Sequence, residues 1–254
     1  MCIVTFHHQE HPKYKLIVAS NRDEFYERPT AQADFWNDHP SILAGRDLKE
    51  YGTWLGITKQ GRIAILTNYR DLASERDDRK SRGQLVNQFL MENDDPYHLF
   101  EELQSNKSQY NGFNLIAGTV DELYHYGNNE AKITPITSGA HSISNGPLLA
   151  SWPKTMKAKE MMQQYVRNHD EIYIDDLFEQ LNNRELALDE YLPNTGIDLP
   201  LERNLSSIFI DKVENYGTRT STVILVTHDN DVTFVERTFN QGAYSDERQF
   251  TFSI

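Results

Sequence analysis

Between residues 3 and 68 the chain sets one apolar strand after another, with no helix-length pattern between them. β-Branched runs at 3–6, 16–19, 42–47, 52–57 and 63–68 read as strands. Polar or glycine-containing turns, such as His7 to Lys13 and the turn at Gly61, punctuate them. Parallel neighbours need a crossover of a dozen or more residues, usually helical. The first third therefore predicts an antiparallel meander and excludes a βαβ series.

Helical spacing enters only afterwards. Leu85, Val86, Phe89 and Leu90 fall on one face. Asp95 followed by Pro96 reads as an N-cap and first helical position, with Leu99, Phe100 and Leu103 behind it. A hairpin is expected over 113–117 and 123–126, and a short strand at 142–147 cut off by Gly-Pro. Pro153 opens a longer helix whose Met156, Met161 and Met162 read as core filler. Another helix carries Leu177, Phe178 and Leu181; 194–204 reads as an irregular connection. Strands are expected again at 207–210, 220–227 and 232–239, and Tyr244, Phe250 and Phe252 suggest an interface or an edge strand. Strands at both ends with helices between them give an α+β class: two antiparallel sheets covered by helices, with the first strand central. The 254 residues suffice to bury a full core and are read as a single domain, 1–254.

Composition removes several function classes. A formal net charge of −13 speaks against nucleic acid, because a phosphate-binding surface needs a basic footprint. No apolar run is long enough to cross a bilayer as a helix, and the start lacks the pattern of a signal peptide. One cysteine leaves no intrachain disulfide and fits a reducing, cytoplasmic setting.

That cysteine is Cys2, directly behind the initiator. Trimming of Met1 would leave one residue with both a thiol and an α-amine whose pKa lies near ~8. The thiol is a nucleophile and the amine a base, which is the chemistry of an N-terminal nucleophile (Ntn) hydrolase. Four polar clusters are expected at strand ends: Asn21-Arg22-Asp23-Glu24, Thr67-Asn68-Tyr69-Arg70-Asp71, Ser144-Asn145-Gly146 and Gly217-Thr218-Arg219-Thr220-Ser221. Carboxylates that orient an amine, amides that hold an oxyanion and a guanidinium that favours thiolate are the parts of an acyl-transfer site. Singly, each cluster is an ordinary turn. His7, His8 and His11 read as solvated turn residues, and the charged 69–83 segment as a solvated loop.

Asn21-Arg22-Asp23-Glu24 is also the motif of the NRDE, or transport and Golgi organisation, family. The start Met1-Cys2-Ile3, Arg28-Pro29-Thr30, Gly45-Arg46-Asp47, Gly52-Thr53-Trp54-Leu55-Gly56, Ser81-Arg82-Gly83 and Trp152-Pro153-Lys154 resemble that family's blocks in order. The family in turn resembles the choloylglycine hydrolase and penicillin V acylase group of Cys-type Ntn hydrolases. The resemblance implies an αββα sandwich, Cys2 as nucleophile, Asp23 as the carboxylate beside it, and Asn68 and Asn145 as the two amides. Arg219 would be the late arginine. Arg22, Trp54, Tyr69 and Arg82 are read as substrate-binding residues. One departure stands out: the group's arginine three residues before the carboxylate is Ser20 here, and Arg22 would need a shifted backbone to replace it.

Two functions follow. One is an amidohydrolase or acyltransferase acting on a small or lipid-like amide. The other, implied by the family resemblance, is a carrier of haem, acyl-CoA or a related amphipathic ligand. No metal or cofactor is expected, and oligomeric state is left open.

Overall fold

The computed structural model describes residues 2–71, 74–92 and 95–254. Met1, and with it the trimming expected above, lies outside the described residues. One sheet runs in the order β10 (Gly139–Ile143), β1 (Cys2–His8), β2 (Tyr14–Phe25), β11 (Tyr216–Thr227), β12 (Asp231–Asn240), β13 (Ala243–Ser253). The second runs from β3 (Thr30–Phe35) through β4 (Ile42–Asp47), β5 (Leu55–Thr58), β6 (Arg62–Asn68), β7 (Phe113–Thr119) and β8 (Leu123–Gly127) to β9 (Lys132–Pro135). All named strand pairs are antiparallel.

Period-two alternation divides the apolar side chains between layers. Val4, Phe6, Leu16 and Val18 meet Leu55, Ile57, Ile63 and Ile65 between the sheets. Ile3, Ile17 and Ala19 point the other way, toward α3 (Pro153–Asn168) and α4 (Ile174–Leu181). On the far side, Ala64, Leu66 and Leu115 pack under α1 (Gly83–Met91) and α2 (Pro96–Asn106). The result is the αββα sandwich. As expected, Asp95 caps α2, its carboxylate accepting from the Tyr97 amide at 2.8 Å, and Pro153 opens α3.

Several expectations are corrected. β1 is flanked on both sides but lies second from the sheet edge, because β2 and β11 take the centre. The segment 207–210 is not a strand: Phe209 donates to the Asn183 carbonyl and Ile210 to the Thr218 hydroxyl, which breaks any ladder. The 194–204 connection contains a short helix, α5 (Leu199–Asn204), capped by Asp198 with Pro200 in its first turn. Of the three methionines only Met162 is buried in the core, and Met156 is exposed. His7, His8 and His11 are buried rather than solvated, since β1 extends through His8 and the following turn folds against 169–171. β13 is an exposed edge strand, with Phe250 and Phe252 turned toward the core and Tyr244 outward.

Candidate active site

The polar cluster Asn21-Arg22-Asp23-Glu24 lies inside β2, not at its end, because β1 and β11 both pair with that stretch. Arg22 is the register partner of Cys2. Directly paired residues project to the same face, so Arg22 flanks the thiol without any backbone shift. Its guanidinium stacks 4.2 Å from the Trp54 ring and donates to the Thr30 hydroxyl at 3.1 Å. Asp47 and Glu24 stand at 3.6 and 4.0 Å. Ser20 serves the strand pair instead, donating to the Ile3 carbonyl at 3.0 Å. Trp54 fits there because residue 45 is glycine: a Cβ would come within 2.4 Å of the indole ring. Gly52 and Gly83 likewise let two backbones touch at the cavity rim, since a Cβ on Gly52 would lie 2.6 Å from the Gly83 carbonyl carbon.

Asp23 is buried on the α3 side. Its carboxylate accepts from the Thr218 hydroxyl at 2.7 Å, and its carbonyl from the Tyr216 hydroxyl at 2.9 Å. Burial pushes both the Asp23 carboxyl and the Cys2 thiol above their ordinary values; Lys154 opposes the first and Arg22 the second. Beyond Arg22, Glu236 of β12 is buried, accepts from the Ala33 amide at 2.7 Å, and is pushed up to about 7 by burial.

The two amides do unequal work. Asn68, at the end of β6, borders the cavity at Cys2, and its side chain has no hydrogen-bond partner among the described residues. Asn145 is fully engaged. Its Nδ2 donates to the Asn68 carbonyl at 2.7 Å, its Oδ1 lies 3.1 Å from the Ser144 hydroxyl, and its carbonyl accepts from the Arg70 amide at 2.7 Å. Ser144 also reaches the Cys2 carbonyl at 2.8 Å. Asn145 thus braces Asn68 from behind, and Ser144 braces Cys2. His125, buried and held down to about 4 by desolvation, backs the same corner through Asn114, whose Nδ2 donates to the Gly146 carbonyl.

Arg219 is not brought to the cavity. A β-bulge places Thr218 opposite Asp23 and Thr220 opposite Arg22, leaving Arg219 out of register. Its Nη1 donates to the carbonyls of Phe25, Tyr26 and Arg28 at 2.9–3.1 Å, closing the turn after β2.

Two cavities open side by side. One, about 330 Å³, is polar and is bordered by Cys2, Arg22, Trp54, Asn68 and Arg82. The other, about 500 Å³, is apolar, lined by Phe25, Tyr69, Ile197, Leu201, Val213 and Tyr216. Glu24, Arg28, Asn68, Glu75 and Arg82 border both. Residues 72 and 73 of the 69–83 segment lie outside the described residues, and the others are only partly solvated. Arg70 makes a buried ion pair with Glu202 of α5 at 2.6 Å, and Arg82 donates to the Gly112 carbonyl at 3.0 Å. Arg76 pairs with Asp78 on the surface. Tyr216 and Glu202 were not singled out from the sequence, and Thr218 and Lys154 appear there only within the 217–221 cluster and the 152–154 block, without a role. Only Lys154 carried a signal there, a cation in the first turn of a helix, where the dipole disfavours it.

A family profile described as Transport and Golgi organisation 2 matches residues 1–241. The chain is 37% identical to the human Transport and Golgi organization protein 2 homolog, over 100% of this chain and 99% of that protein. It is 35% identical to the mouse homolog, over 93% and 92% respectively. Among solved structures, a mutant conjugated bile acid hydrolase from Clostridium perfringens matches with a TM-score of 0.52 at 8% identity, covering 99% of this chain and 92% of that one. At that identity the likeness concerns the fold alone, an Ntn-hydrolase-like αββα sandwich.

Proposed function

The chain belongs to the Transport and Golgi organisation 2 family, and on that footing we propose that it is an Ntn-type amide hydrolase or acyltransferase for an amphipathic amide. One observation carries the reading: the only thiol borders a polar cavity that shares a wall with a larger apolar one. The apolar part of a substrate would lie against Leu201 and Tyr216 and its amide would reach Cys2 across Asn68. The Cys2 sulfur attacks the amide carbon, forming the C–S bond and placing negative charge on the oxygen. The free amide of Asn68 is the donor available to that oxyanion. Collapse breaks the C–N bond, and the α-amine of Cys2, carrying the thiol's proton, delivers it to the leaving nitrogen. Water or an acceptor amine then takes the acyl group and regenerates the thiol. The α-amine step requires a chain that starts at Cys2. Arg22, Trp54 and Arg82 would position the polar end, and Tyr69 the apolar one.

Incubation with N-acyl amides of graded chain length, followed by intact-mass analysis, tests this. A thioester on Cys2, or released amine that disappears in Cys2→Ala, supports the reading. Turnover that survives Cys2→Ala ends it.

The second reading, a carrier for haem, acyl-CoA or a similar amphiphile, draws on the size of the apolar cavity, which needs no chemistry to hold an acyl chain. It expects saturable binding without turnover. Binding of both haem and acyl-CoA weaker than ~10 μM, about −7 kcal/mol, would remove its support.

A further inference from the structure

Lys154 occupies a place where a cation is doubly disfavoured. It is buried, and it sits in the first turn of α3, where the helix dipole presents its positive end. Its ammonium makes a single hydrogen bond among the described residues, to the Leu205 carbonyl at 3.1 Å. A chain that keeps a lysine there must compensate it with buried negative charge. Lys154 makes no ion pair within 4.0 Å among the described residues; the charged or ionisable groups near enough to act on it are Asp23 of β2, Cys2 of β1, Glu202 of α5 and Arg70 after β6. The last two already neutralise each other at 2.6 Å. Of the other two, burial raises the Cys2 thiol above its ordinary value and so disfavours its charged form, which leaves Asp23, buried and held by Thr218. One segment joins the two: Leu205 accepts from Lys154, and five residues on, Ile210 is bonded to Thr218, the partner of Asp23.

We propose that Lys154 is the buried counter-charge of Asp23 and a positioning residue for the Cys2 site, in the electrostatic place that the family resemblance gives to Arg219. The inference deepens the hydrolase reading, because an ionised Asp23 is what would orient the Cys2 amine. Two properties agree with it. Burial holds Lys154 down to about 8, so it is still an ammonium at neutral pH, and it is the strongest influence opposing the upward push that burial gives the Asp23 carboxyl. Arg219 is committed to three carbonyls of the turn after β2.

The test is a thermodynamic cycle with Lys154→Met, Asp23→Asn and the double variant, melted at pH 5, 6 and 7. Removing one member strands a buried charge, whereas removing both does not. Each single variant should therefore lower Tm more than the double variant does. In Lys154→Met the buried Asp23 carboxyl rises further above its unfolded value, and a raised acid costs stability as pH rises through its folded pKa. Its Tm deficit should consequently shrink from pH 7 to pH 5, and Lys154→Arg should recover part of it. Additive single effects with a pH-independent deficit would overturn the proposal and leave Lys154 as packing. Should Lys154→Met not fold at pH 7, folding at pH 5 supports the pair and failure there contradicts it. The cycle needs no turnover, so absence of amide cleavage would count against the hydrolase reading while leaving the charge pair standing.

Discussion

The two cavities that meet at Asn68 and Arg82 are walled in different ways. The floor of the polar one is built on strand register, with Cys2 facing Arg22 and Asp23 facing Thr218 across ladders that continue through the sheet, while residues 75–83 form its rim. The apolar one leans partly on 194–204, a little-buried stretch with one short helix tied to the rest by Arg70–Glu202, and partly on the buried run 205–210, which Asn21, Lys154 and Thr218 anchor. Regular pairing fixes the reacting groups, and the less buried 194–204 stretch covers part of the ligand-sized space. Elements with few buried contacts open at lower free energy than sheet cores. The molecule thus sets the nucleophile on paired strands and part of the apolar wall on a stretch with few buried side chains.

The comparison breaks most completely at Cys2. Cys2→Ala should abolish thiol labelling and any amide turnover while leaving the melting temperature nearly unchanged, as read by intact mass and calorimetry. Next in size is the tie between the regions. Glu202→Ala removes the buried carboxylate that pairs with Arg70 and should cost about 3–5 kcal/mol in denaturant unfolding. Proteolysis should then cut first within 194–204, and early cleavage inside the β1–β2 pair instead would contradict the division drawn above.

A third measurement concerns the ionisable groups buried around the polar cavity. The Glu236 carboxyl is raised from its ordinary value to about 7, so its contribution is present at acid pH and is lost as pH rises toward 7. His125 is depressed to about 4, so its contribution is present above about 6.5 and is lost as pH falls toward 4. Each amounts to about 3 kcal/mol, and in the same window they oppose each other. Glu236→Gln should therefore make stability rise more steeply with pH than in the wild type, and His125→Asn should make it rise less. Identical slopes in all three proteins would show that neither group is perturbed as described. The smallest effect is expected in the apolar wall: Leu201→Ala should weaken binding of a long-chain ligand about fivefold, near 1 kcal/mol, with little change in Cys2 labelling.

Local pattern already encoded much of this architecture. β-Branched runs without intervening helices specified antiparallel sheets, the Asp95-Pro96 and Pro153 starts marked their helices, and Cys2 with the Asn21–Glu24 motif pointed to the working end. Such features depend on neighbours within a few residues, through backbone dihedral preference and side-chain period. Three features were invisible on that scale. His7 and His8 look like turn residues, yet β1 carries them into the core. Arg219 has the right type for a catalytic cation, but one extra residue in β11 turns it onto the carbonyls after β2. Lys154 looks like a surface lysine, and only the packing of α3 over β1 brings it to Asp23. In each case the partner lies on a distant strand or helix. The charge state and role of a buried polar group depend on what packing puts around it, and that is settled by long-range register rather than by the residues beside it in the chain.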